Sequence, residues 1–291
     1  MTIQWFPGHM TRARRQIEEK LKIIDIAIEL LDARLPYSSR NPMIDEILGN
    51  KPRLILLNKQ DLADPIITAR WLDKLSTDEK KVLSIDANTG TGLKTITTHC
   101  IELMAPTFQK WKIKGMQPRP IRALIVGIPN VGKSTLINRL AGRNVTMTGD
   151  RPGITKGQQW IKVGKMLELL DTPGILWPKF EDPKVGKLLA ASGAIRDDIL
   201  HLEDIAFFLI KLLLVRYPKV IQERYQLESI PQSTEDLHEM QSIIEAIGRK
   251  RGAVMSGGKI DLQKASDLLL RDLRTGKLGR ISLETPEDAY V

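Results

Sequence analysis

The sequence predicts an α/β fold: a parallel sheet with flanking helices and a phosphate-binding loop, followed by a smaller all-helical part. Three observations carry this. Short apolar runs at 24–31, 54–57, 81–85, 121–126 and 166–170 each end in a polar loop, the pattern of strands buried on both faces. The run at 121–126 leads directly into a glycine-rich loop and a helical segment. From about Lys179 onward strand alternation stops and amphipathic helical periodicity takes over.

Composition sets the outer bounds. The 291 residues have room for one large domain or two ordinary ones, and we place the division between 1–178 and 179–291. With 42% apolar and 27% charged residues the chain is globular rather than disordered. A single cysteine, Cys100, excludes an internal disulfide and fits a reducing compartment, so a cytoplasmic location is expected. Residues 1–10 lack the apolar stretch of a signal peptide, and Arg12, Arg14 and Arg15 follow them. The most apolar segment, 205–215, is too short to span a bilayer and carries Lys211, which predicts a buried helix. A monomer is expected.

The net charge is +9, and it is uneven. Between Thr107 and Lys165 twelve Lys and Arg face a single acid, Asp150. Such a balance suggests a polyanionic partner, most simply nucleic acid. The plainer alternative is solubility plus a nucleotide pocket.

The run 54–57 ends in Asn58-Lys59-Gln60-Asp61. The pattern N-K-x-D after a buried strand is how GTPases read guanine. Asp61 would accept from the base N1–H and its exocyclic amine. Adenine offers neither donor there, so the carboxylate would be left unpaired against ATP. Asn58 and Lys59 join it in the nucleotide-binding set. In an ordinary GTPase this motif follows the phosphate loop, yet nothing upstream of it here could hold a phosphate.

The phosphate loop comes later. The run 121–126 is followed by Gly127-Ile128-Pro129-Asn130-Val131-Gly132-Lys133-Ser134, a full G-x-x-x-x-G-K-S. Glycine lets the backbone N–H groups wrap the phosphates, Lys133 reaches the β- and γ-phosphates, and the Ser134 hydroxyl binds Mg²⁺. Asn130, Val131, Gly132 and Thr135 complete the lining, and the helix opening there directs its positive end at the anion. Chance is a weak competitor when strand, loop and helix occur in order.

The strand at 166–170 ends in Asp171-Thr172-Pro173-Gly174, a D-x-x-G element. Asp171 is expected to reach Mg²⁺ through water and the Gly174 N–H to sense the γ-phosphate. Between the two motifs, Thr155 can place its hydroxyl on Mg²⁺ only when the γ-phosphate is present, which makes a switch. Upstream, the strand at 81–85 leads to Asp86-Ala87-Asn88 before a glycine pair. The Ala87 N–H would donate to guanine O6. Asp86 and Asn88 stand where serine and lysine are usual, which softens that assignment.

All five elements of a P-loop GTPase domain are therefore present, in circularly permuted order: the base-reading pair precedes the phosphate-reading trio. A parallel sheet tolerates this when the old termini lie close. The stretch 102–120, with Pro106, Gly115, Pro118 and Pro120, reads as the joining linker.

With the motifs in this order the chain resembles the circularly permuted ribosome-assembly GTPases of the YlqF/RbgA class. Trp5-Phe6-Pro7-Gly8-His9-Met10 resembles that family's N-terminal signature, and Asp32-Ala33-Arg34-Leu35-Pro36 its D-A-R-x-P element. The resemblance implies a GTPase acting late in assembly of the large ribosomal subunit, binding GTP and GDP and the subunit's rRNA. Ile175 occupies the position after D-x-x-G where many GTPases carry a water-orienting glutamine. The family suggests His9 as the substitute. In related GTPases an asparagine at the place of Asn130 helps hold a monovalent cation beside the phosphates, so K⁺ is a second candidate ion after Mg²⁺.

The C-terminal part is read as helices at 184–195, 202–216, 218–225, 234–248 and 261–276. Ser233 is expected to cap the fourth and Gly248 to close it. Arg249, Lys250, Arg251 and Lys259 then form a basic, flexible connection, continued by Arg271, Arg274, Lys277 and Arg280. A charge run is ordinarily a solvated face; after a GTPase core an RNA-contacting surface is preferred. Two other functions stay open: a GTPase coupled to tRNA modification, and a nucleotide-dependent RNA-binding protein with negligible turnover.

Overall fold

The computed structural model describes residues 14–15, 17–77, 80–117, 119–146, 160–230 and 237–290. His9, Thr155 and Ser233 lie outside them. Six strands form one sheet: β1 (Ile26–Asp32), β2 (Arg53–Asn58), β3 (Lys80–Ser84), β4 (Ile121–Gly127), β5 (Trp160–Val163) and β6 (Leu167–Leu170), in the order β3-β2-β1-β4-β6-β5. Every residue of β1 and β2 is buried, which is why they read as apolar runs; Glu29, which interrupts β1, is buried against Arg53 at 3.1 Å. β1 is central. It pairs in parallel with β2 through Leu31↔Leu57 and with β4 through Ile28↔Ile125, so the strand before the N-K-x-D loop and the strand before the glycine-rich loop share one sheet. Their carboxyl ends face one edge, where nucleotides bind in such sheets.

Short helices flank the sheet. α1 (Pro42–Leu48) is capped by Asn41, and α2 (Pro65–Leu75) by Asp64, which accepts from Ile66 N at 2.8 Å. α3 (Ile96–Ile113) returns to the sheet, and α4 (Lys133–Ala141) follows the phosphate loop. Among the described residues five α-helices form the C-terminal part: α5 (Pro183–Ser192), α6 (Leu202–Arg216), α7 (Pro218–Tyr225), α8 (Leu237–Arg251) and α9 (Leu262–Arg274). The buried core is continuous across position 178, since Leu176 and Phe180 join the same cluster as Leu136 and Leu269. No helix among the described residues is long and apolar enough to cross a membrane.

Four expectations are corrected. The sheet is not wholly parallel: β5 is an antiparallel edge strand, paired Ile161↔Leu169. Its alternation spans only four residues, too few to register in sequence. The linker is shorter than 102–120, because α3 runs through Pro106 to Ile113. A proline inside a helix costs about 3 kcal/mol. Packing of Met104, Phe108 and Trp111 against the core opposes that cost, and the Arg119 guanidinium stacks 4.6 Å from the Trp111 ring.

Gly248 does not close α8, which continues to Arg251. A methyl there would collide with Ile260, so the glycine serves close approach between α8 and the turn before α9. The left-handed Gly252, φ +75°, ends the helix instead. Arg249, Lys250 and Arg251 therefore sit on a helical turn, not in a flexible connection.

After α9 the chain crosses back over the loops that follow β1 and β2. Leu283 N donates to Arg34 O at 2.7 Å. The buried Glu284 accepts from Tyr37 N at 3.0 Å, and from Ser38 N and its hydroxyl. Burial pushes the Glu284 carboxyl up to about 7, the Ser38 bonds opposing. The folded chain thus holds this proton more tightly than the unfolded chain, where the group titrates near 4.5. The stabilisation is complete below about 4.5 and is lost as pH rises through about 7. Thermal melts across that window are expected to show a falling midpoint with rising pH, flattened in Glu284→Gln. Equal slopes in the two proteins would rule this carboxyl out as the cause.

Candidate guanine-nucleotide site

The phosphate loop leaves β4 at Gly127 and enters α4 at Lys133. Asn130 (φ +56°) and Gly132 (φ +104°) turn the backbone through left-handed conformations. A methyl on Gly132 would collide with the Asn58 amide, so glycine is required there for contact as well as for φ. Lys133 is buried, and its Nζ donates to Gly127 O at 3.1 Å and Ile128 O at 2.8 Å. Burial pushes its pKa down to about 8, with the nearby Asp171 carboxylate opposing. A phosphate offers this buried cation an anionic partner in place of two carbonyl dipoles.

D-x-x-G folds against the same loop. A methyl on Gly174 would come within 2.7 Å of the Pro129 backbone and 3.0 Å of Lys133 Nζ. Thr172 Oγ1 donates to Ile125 O at 2.6 Å and fixes the segment on β4. Asp171 is fully buried, and neither of its carboxylate oxygens finds a hydrogen-bond partner among the described residues. Burial raises its carboxyl to about 6, Lys133 opposing. Such an orphaned carboxylate beside a phosphate lysine fits the place of a Mg²⁺ ligand. Ile175 is buried, its N–H donating to Gly127 O and its carbonyl accepting from Asn41 Nδ2 at 3.0 Å. It cannot orient water.

The base-reading loop is tied to the phosphate loop across 73 residues of sequence: Asn58 Nδ2 donates to Val131 O at 2.8 Å. Asn58 Oδ1 in turn accepts from Ala87 N at 3.0 Å. The N–H expected to serve guanine O6 is therefore engaged by Asn58. Asp86 is buried and accepts from Asn88 N at 2.8 Å and Thr89 Oγ1 at 2.6 Å, so it shapes its loop rather than facing a ligand. Lys59 is left-handed (φ +64°) and pairs with Asp32 at 3.0 Å. Asp61 is exposed; partial burial, with the Asp86 carboxylate adding to it, pushes its carboxyl above the usual value. Two N–H donors from guanine would relieve that.

A cavity of about 1090 Å³ lies at this edge, lined by Asn58, Lys59, Ala87, Asn88, Asn130, Gly132 and Thr135. Its far wall comes from the helical part: Ser192, Gly193, Arg196, Asp197, Arg271 and Arg274. Sequence reading missed this wall. Asn130 Nδ2 donates to Gly193 O at 2.9 Å, and the Arg274 guanidinium caps the end of α5 through Ala190 O and Ala191 O while pairing with Asp197. Arginine bound to a distant carbonyl leaves no local pattern to detect.

The expected RNA cluster divides. Arg249 and Lys259 are exposed, and so is Lys250, which reaches Gln226. Arg251 is part of a buried arrangement: Asp272 accepts from it at 3.1 Å, from Arg224 at 3.0 Å and from the Tyr225 hydroxyl at 3.1 Å. Arg251 and Arg274 therefore carry structural ion pairs. Arg280 is likewise engaged, on the loop 60–63.

The chain is similar in sequence and in fold to known proteins. The family model described as 50S ribosome-binding GTPase matches residues 122–248, beginning at β4. Ribosome biogenesis GTPase A of Bacillus cereus is 57% identical over 99% of this chain and 95% of its own length. The counterpart from Thermotoga maritima is 33% identical over 98% of this chain and 95% of its own. The GDP-bound structure of TM YlqF superposes with a TM-score of 0.65 at 27% identity, covering 94% of this chain and all of that one.

Proposed function

The chain belongs to the ribosome biogenesis GTPase A family, and from that premise we propose that it acts late in assembly of the large ribosomal subunit, binding pre-ribosomal RNA in its GTP state and leaving on hydrolysis. It is a GTPase of ribosome assembly. The observation that carries the reading is the Asn58–Val131 bond, which joins a guanine-reading loop and a phosphate loop into one pocket despite their inverted order in the chain.

In that pocket Lys133 holds the terminal phosphates, and Asp61 selects the base. Ser134 and Thr155, with Asp171 through water, would hold Mg²⁺, which GTPases generally use and which would neutralise phosphate charge. Because Ile175 is turned into the core, intrinsic hydrolysis is slow and the water is positioned by His9 once the large subunit is bound. Asn130 would help to hold K⁺ beside the phosphates. The part after 178/179 is the RNA-contacting one, although it also walls the cavity, and the site of action is the cytoplasm.

One assay tests this: GTP hydrolysis with and without isolated large subunits, in K⁺ or Na⁺. Wild type is expected to be stimulated by large subunits and to turn over faster in K⁺. His9→Ala is expected to bind subunits but remain at the basal rate, because water positioning acts in the transition state. A triple variant Arg249→Ala, Lys250→Ala, Lys259→Ala, which leaves the structural Arg251 in place, is expected to lose stimulation through failed docking. Its binding should have a salt slope flatter by roughly one log-log unit per phosphate contact removed. Unaltered subunit affinity and slope would place the RNA contact elsewhere, in the basic stretch 107–165. Absence of stimulation would favour a nucleotide-dependent RNA-binding protein with negligible turnover, the reading that the buried Ile175 keeps open.

A further inference from the structure

The loop that carries Asp61 is held from outside. Residues 60–64 follow β2 and end at the cap of α2. Four of their backbone groups bond to a strap of three residues, 280–282, that follows α9. Arg280 donates from Nη2 to Gln60 O and from Nε to Ala63 O, both at 2.9 Å. Ile281 N donates to Leu62 O at 2.8 Å, and Asp64 N donates to Ser282 Oγ at 3.2 Å. Tyr217, at the junction of α6 and α7, closes the arrangement: Ser282 N donates to its hydroxyl at 3.2 Å, and that hydroxyl donates to Asp64 Oδ2 at 3.4 Å. Leu62 itself packs against Gly276, where a methyl would come within 2.7 Å of Leu62 Cδ2.

The residue between these anchored carbonyls is Asp61. Its side chain is exposed, so no packing holds it in place. The path of its backbone, including the residue's own N–H on which the carboxylate rests, sets where the carboxylate points. That path is bracketed by Arg280, whose planar fork spans the carbonyls on either side of it, and by Ile281 on the next residue.

We propose that the C-terminal strap, through Arg280, is a positioning element for guanine selection. The proposal rests on Asp61 reading the base. Arg280 touches no nucleotide. It fixes the loop so that both carboxylate oxygens meet N1–H and the exocyclic amine together. The strap is continuous with α9, whose Arg271 and Arg274 line the cavity that Lys59 and Leu62, on either side of Asp61, also line. A partner that moves the helical part thereby loosens or tightens base recognition, and nucleotide release is coupled to docking.

The test is discrimination between GDP and IDP by the full-length protein. Inosine keeps N1–H but lacks the exocyclic amine, so the affinity ratio reports whether the second carboxylate bond is made. A variant that is merely less stable lowers both affinities by the same factor. A loosened Asp61 lowers the ratio.

Calorimetry on wild type, Arg280→Ala, Arg280→Lys and Ser282→Ala is compared with Asp61→Asn as reference. Arg280→Ala is expected to lower the GDP-to-IDP affinity ratio about fivefold or more, the worth of one hydrogen bond, and to speed GDP release. Arg280→Lys, which can reach one carbonyl but not both, is expected to fall between. An unchanged ratio in Arg280→Ala and Ser282→Ala, beside a collapsed ratio in Asp61→Asn, would overturn the positioning role. An unchanged ratio in Asp61→Asn would instead show that this loop does not read the base.

Discussion

Asp61→Asn is expected to lower GTP and GDP affinity on the order of 100-fold while leaving the fold intact. Asp61 is exposed and its side chain supports no other element, so its replacement by an isosteric amide costs little in stability. In binding, the carboxylate accepts two donors from one edge of guanine. Hydrogen bonds to a charged group contribute roughly 1.5–3 kcal/mol each. The amide keeps one acceptor and turns a donor toward the exocyclic amine, so one bond is lost and a donor–donor clash is made. Xanthine presents a carbonyl where guanine has its amine. The variant is therefore expected to prefer xanthine nucleotides, because N1–H meets the amide oxygen and the xanthine O2 meets the amide NH₂. Calorimetric titration with GDP and XDP reads both changes. Wild-type GDP affinity in the variant would show that the site does not select its base through Asp61.

What could be read from sequence was what the chain builds locally. G-x-x-x-x-G-K-S forms its cradle from eight consecutive residues, and β1 and β2 show as apolar runs because both faces are covered. The permuted order was legible for the same reason, since each motif is intact and only their sequence is rotated. Misreadings fell where a local signal met tertiary packing. Pro106 and Gly248 both look like helix breakers, at costs of about 3 and about 1 kcal/mol. In α3 the packing of Phe108 and Trp111 opposes the first, and in α8 the contact with Ile260 makes the second a requirement. The cavity's helical wall was invisible. Its anchors, Asn130 on Gly193 and Arg274 on Ala190, join residues 63 and 84 positions apart through backbone carbonyls, which every residue has.

Asp32, read in sequence only as part of a signature, is the residue whose loss should cost the fold most. Asp32 and Arg34 are each 1% exposed, and Arg34 reaches the carboxylate through Nε at 2.9 Å and Nη2 at 2.7 Å. Lys59 adds a second cation at 3.0 Å. Burial alone would raise the Asp32 carboxyl, but these cations override it and hold the group far below the usual carboxylate range. Removing one partner from such a pair leaves the other buried and uncompensated, at about 3–5 kcal/mol. Asp32→Ala leaves Arg34 in that position and is expected to destabilise the chain by about that amount. Arg34→Ala is expected to cost less, because Asp32 keeps Lys59. The double variant is the decisive case. With both members of the buried pair gone, Lys59, 19% exposed, can turn to solvent, and no buried charge is stranded. Its loss should fall short of the sum of the single losses by about 1–3 kcal/mol, a coupling of the size contacting residues show. Because Lys59 leads into Asp61, the same variants are expected to weaken GDP binding even where folded. Denaturant melts of the four proteins measure the cycle. Strict additivity would mean that Asp32 acts through its loop geometry and not through the ion pair.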